Sequence, residues 1–65
     1  MKFTIEVLRV SDGAEHLLWR EQMNAIAPKW VQTRAQTLFN GWKAKGATGV
    51  RVLNREGQPV YNWTD

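Results

Sequence analysis

Cysteine is absent from the 65-residue chain. That excludes a disulfide framework and any cysteine-ligated metal site, and it leaves the redox compartment unconstrained. No apolar run approaches the roughly 18 residues that a membrane-crossing helix needs. The residues after Lys2 alternate in polarity instead of forming an apolar leader core, so no membrane partner is expected and a cytoplasmic soluble protein is the default expectation. Low-complexity tracts, repeats and internal linkers are lacking too. Hydrophobic residues make up 43% of the chain against a formal net charge of +3, which is not the composition of a disordered chain. A chain of this length has room for one hydrophobic core, so a single small α+β domain over 1–65 is expected.

What is present is a set of hydrophobic patterns. Phe3, Ile5 and Val7 alternate with Lys2, Thr4 and Glu6. A period of two built from good strand formers predicts a strand with one buried face. Ser11-Asp12-Gly13 ends the run, and Gly13 can take the positive φ of a tight turn. The next stretch supports two readings. With a three-residue loop at Ser11 to Gly13, His16 to Glu21 returns as a strand. Val7 then faces Leu17, Ile5 faces Trp19, and Arg9 faces Glu15. The rival is a helix capped by Asp12 with Glu15 at its third position, whose stripe is Leu18, Trp19, Gln22, Met23 and Ile26. The facing pairs favour the hairpin, whereas the shortage of β-branched residues favours the helix.

The main helix is expected over Thr33 to Lys45, with Pro28 as an earlier starting point and Thr33 with Gln36 as a capping box further in. Val31, Ala35, Leu38, Phe39 and Trp42 form its apolar stripe, and Gly46 is its stop signal. A second hairpin pairs Val50 to Asn54 with Gln58 to Trp63. Reading Asn54 to Gly57 as a type I turn with a left-handed glycine sets Val52 opposite Val60 and Arg51 opposite Tyr61. A two-residue loop at Glu56-Gly57 sets Val52 opposite Tyr61 and Val50 opposite Trp63 instead. This one-residue difference exchanges the two faces of the strand. The fold predicted is a two-layer ββαββ with one helix on a four-stranded, mainly antiparallel sheet. The alternative is βααββ.

One helix covers one face of such a sheet. In the first-mentioned registers the open face collects Leu8, Val10, Leu18, Leu53, Tyr61 and Trp63, with His16, Arg20 and Arg51 among them. An uncovered antiparallel face is usually polar, so an apolar patch there points to an interface. The expected function is a non-enzymatic interaction domain that forms a homodimer or binds a protein partner. Leu53, Tyr61, Trp63 and Leu18 are its buried contacts, and Arg51 and Arg20 orient the partner at the rim. In the other register, Tyr61 and Trp63 are core residues.

Nucleic-acid binding is the alternative, through Tyr61 and Trp63 as stacking rings with Lys2, Arg51 and Arg55 on the backbone. The modest charge and the absence of an RNA-recognition signature weigh against it. For catalysis, His16 is the only histidine, Ser11 has no base at a defined spacing, and Asp12 and Glu15 suit turn and cap roles. No catalytic residue, metal ligand set or cofactor is therefore expected.

Overall fold

In the computed structural model, which describes residues 1–64, Lys2–Ser11 forms β1 and Ala14–Asn24 forms β2. Helix α1 spans Pro28–Trp42 and tightens into a 3₁₀ turn over Lys43–Lys45. Strands β3 (Gly49–Leu53) and β4 (Pro59–Thr64) follow. The four strands make one antiparallel sheet in the order β2-β1-β3-β4. One face of that sheet carries the helix, so the architecture is the two-layer ββαββ arrangement. The chain leaves β2, crosses over β1 as α1, and enters the sheet again on the far side of β1.

The core lies between the layers. Phe3, Ile5 and Val7 of β1 meet Val50 and Val52 of β3 under Val31, Ala35 and Phe39 of α1. The helix begins at Pro28, whose missing N–H costs nothing in the first turn. The Thr33 hydroxyl does not cap a helix start; it donates to the Lys29 carbonyl one turn back. Gly46, at φ 96°, closes the 3₁₀ turn.

The first hairpin forms as the favoured reading expects, with a strand and not a helix as its second arm, but it departs from that reading in three ways. The strand runs on past Glu21 to Asn24 and pairs with the whole of β1. The turn holds two residues, not three: Asp12 and Gly13 both have positive φ, 54° and 77°, the type I′ geometry whose twist matches its flanking strands. A bulge then shifts the register between Val7 and Leu8. Leu8 pairs with Leu17, but Val7 pairs with Trp19, Ile5 with Glu21 and Phe3 with Met23, while Arg9 faces His16. Leu18 is the extra residue, and it packs against the core.

The second hairpin has the expected turn, with Gly57 at φ 82° and the Gly57 N–H donating to the Asn54 carbonyl. The Asn54 side chain locks it by accepting from the N–H groups of Glu56 and Gln58. A second bulge follows. Leu53 pairs with Pro59, but Val52 pairs with Tyr61 and Val50 with Trp63. Val60 is skipped and left 48% exposed. Tyr61 and Trp63 therefore lie under the helix, correcting the register that placed them on the open face. The physical reason is burial: the bulge exchanges one valine for two large rings in the core.

Candidate interaction surface

The open face carries an ionic chain along its middle. Alternation along β1 turns Thr4, Glu6, Leu8 and Val10 away from the helix. The Arg51 guanidinium donates to Glu6 at 2.7 Å and to Glu15 at 3.4 Å, and Arg20 stands 3.8 Å from the other Glu6 oxygen. The charges thus alternate as Arg20, Glu6, Arg51 and Glu15 across three strands. The Glu6 side chain is only 12% exposed, so its pairing matters more than that of a fully solvated carboxylate. The hydrogen bond to Glu6 raises the already high pKa of Arg51. Apolar contact area on this face comes from half-buried Leu53 and, at the hairpin end, from Val10 and Leu17, 50% and 52% exposed.

The proposed interaction residues are thereby separated. Leu53, Arg51 and Arg20 share the open face. Leu18 is drawn towards the core by the bulge. The Tyr61 hydroxyl accepts a hydrogen bond from Gln36 of α1, and the Trp63 ring lies 5.8 Å from that of Phe39. The rings of the nucleic-acid alternative thus face the helix. Its cations lie elsewhere: Arg51 is ion-paired, and Lys2 and Arg55 line an open groove of about 700 Å³ at the Met1 end of β1, together with Asn24, Asn54 and Glu56.

A different cluster occupies the helix side. The Trp19 ring packs on Trp42 with centroids 5.8 Å apart. The Trp19 indole N–H donates to Glu21, whose carboxylate also accepts two hydrogen bonds from Arg34. The Arg34 hydrogen bond is the main force lowering the Glu21 pKa; partial burial opposes it and the Trp19 bond adds to it. Lys45 Nζ lies 5.2 Å from the Trp42 ring centroid. The Arg9 side chain runs beside Gly46, where an added Cβ would stand 3.2 Å from Arg9 Cδ. His16 is exposed opposite Arg9.

Sequence reading missed this cluster because its members come from β1, β2 and the helix end. One signal was visible: no Asp or Glu occurs between Glu21 and Glu56, a stretch that holds Lys29, Arg34, Lys43, Lys45, Arg51 and Arg55. Comparison with protein-family models, curated proteins and solved structures returned no match. Among the described residues, no group of three His, Asp or Glu side chains is placed to hold a metal ion, and no helix is long and apolar enough to cross a membrane. What the arrangement offers is a small domain with exposed apolar side chains beside ordered charges.

Proposed function

We propose that this chain is a non-catalytic interaction domain that self-associates along the outer edge of β2. The observation that carries the reading is the strand itself. It has 11 residues, it pairs on one side only, and it presents Leu17 on one face and Trp19, 43% exposed, on the other. A long edge strand with unpaired backbone groups is a template for another strand. The opposite edge, β4, has six residues and begins with proline, which blunts it.

A second copy supplies a complementary strand. Antiparallel pairing about a two-fold axis between Leu17 and Leu18 sets Glu15 opposite the partner's Arg20, and the reverse. Bulges usually discourage edge pairing. Here the bulge at Leu18 puts Glu15 and Arg20 on one face despite their odd spacing, so the ionic chain continues into the second subunit. Leu17, 52% exposed on the open face beside that axis, supplies the apolar contact at the centre.

Light scattering over a range of concentrations tests this. A dimer is expected, and Leu17→Lys should weaken it about tenfold or more, since each copy loses about half the burial value of a leucine. A chain that stays monomeric at every concentration refutes the reading.

A further inference from the structure

We infer that the helix-side cluster around Trp19, Trp42, Arg9 and Lys45 is a binding site for single-stranded nucleic acid, with a base stacked on the exposed Trp19 indole and phosphates held by Arg9 and Lys45. This does not rest on self-association through β2.

The charge layout is the first support. Glu6, Glu15 and Glu21 are each engaged by arginine, through Arg51 and Arg20, Arg51, and Arg34 respectively. Among the described residues no carboxylate pairs with Arg9 or Lys45. Arg9 and Lys45 thus present positive charge on the helix side, at the C-terminal end of α1, while the open face is internally neutralised. Helix α1 and its 3₁₀ extension contain no acidic residue. The carbonyl end of a helix disfavours anions, but Lys43 and Lys45 in the last turn oppose that field.

Geometry is the second support. Trp19 is 43% exposed yet held from two sides, by the Trp42 ring and by the hydrogen bond to Glu21. An exposed indole fixed in this way is a preorganised stacking platform, because little rotamer freedom is left to lose on binding. Lys45 lies over the Trp42 ring, and Arg9 adjoins Gly46, the residue that follows Lys45. Rings for bases beside cations for phosphates are the elements of sequence-tolerant single-strand recognition. An acidic peptide would use the cations but not the ring.

The test is fluorescence anisotropy with a fluorescein-labelled oligothymidylate of twelve nucleotides, competed by polyphosphate of matched charge. The oligomer should bind, resist displacement by polyphosphate, and lose affinity with salt at a logarithmic slope of about −1.4 for two phosphate contacts. Arg9→Gln and Lys45→Gln, both at exposed positions, should each reduce that slope by about 0.7. Trp19→Leu should weaken binding about tenfold and leave the slope intact. Absence of binding, equal displacement by polyphosphate, or indifference to Arg9→Gln and Lys45→Gln would each overturn the inference. A dimer that ignores the oligomer would overturn it while leaving the β2 edge pairing intact.

Discussion

Deleting Val60 perturbs the β3–β4 register at the one residue that sets it. Val60 is skipped between the Leu53–Pro59 and Val52–Tyr61 pairs. Without it, the same pairs can form in an unbroken ladder and the aromatics stay under the helix. The loss is the packing of a valine already 48% exposed, about 1 kcal/mol from a full burial value of about 1.5–3. The contrasting case is a hairpin with no bulge, in which the deletion would swing Tyr61 and Trp63 out to solvent. Trp63→Ala alone should cost about 3 kcal/mol, the low end for a large aromatic, because Trp63 is only half-buried against Phe39. Expelling both rings would remove most of the roughly 3–10 kcal/mol available to a chain this small. Urea unfolding followed by tryptophan fluorescence and far-ultraviolet circular dichroism separates the outcomes. The deletion variant should fold with an unchanged denaturant slope and lose about 1 kcal/mol. A deletion as damaging as Trp63→Ala would refute the bulge and the burial argument together.

Two further outcomes follow from local chemistry. Arg34 lowers the pKa of Glu21, so the pair stabilises the fold above the unfolded glutamate value of about 4.3 and loses that contribution as pH falls through the lower folded value. Because the Arg34 side chain is 47% exposed, Glu21→Gln should cost under about 1 kcal/mol at pH 7. The gap from the parent should narrow as pH falls below the unfolded value, and urea midpoints showing a gap that does not change with pH would exclude the pairing as its cause. The start of α1 offers a gain instead. Ala27 has the extended backbone of an N-cap but no capping side chain, so Ala27→Asp should add about 1 kcal/mol and raise the melting temperature by about 4–8 °C in calorimetry.

The elements were legible because their signals are local. The alternation of Phe3, Ile5 and Val7, the helical stripe of Val31, Ala35 and Phe39, and the glycine turns each need only a few neighbouring residues. The faces of β2 and β4 were not, because each depends on one bulge. The Asn54–Gly57 turn was read correctly, yet its simplest extension pairs Val52 with Val60. Only the packing of Tyr61 and Trp63 against a helix distant in sequence favours the shifted pairing. The same holds at Leu18, where the skipped residue keeps Trp19 on the helix side, as its expected pairing with Ile5 implied, but turns Leu17 to the open face and Leu18 towards the core. The helix-side cluster was illegible for another reason: Arg9, Trp19, Trp42 and Lys45 become neighbours only after the crossover. The open face was anticipated as to Leu53, Arg51 and Arg20, and its ionic character followed once the rings were turned inward.

The strand order β2-β1-β3-β4 also has a kinetic consequence. Each outer strand joins the sheet through a hairpin closed by a short turn, a step that takes about 1–10 μs in isolated peptides. The central seam is different: Glu6 and Arg51, which face each other across it, are 45 positions apart. Closing that distance loses chain entropy before any contact repays it. The seam, with α1 docked over it, should therefore form the folding nucleus. Truncations at Ile5, Val7, Val50 or Val52 should slow folding, whereas changes in either turn should chiefly hasten unfolding.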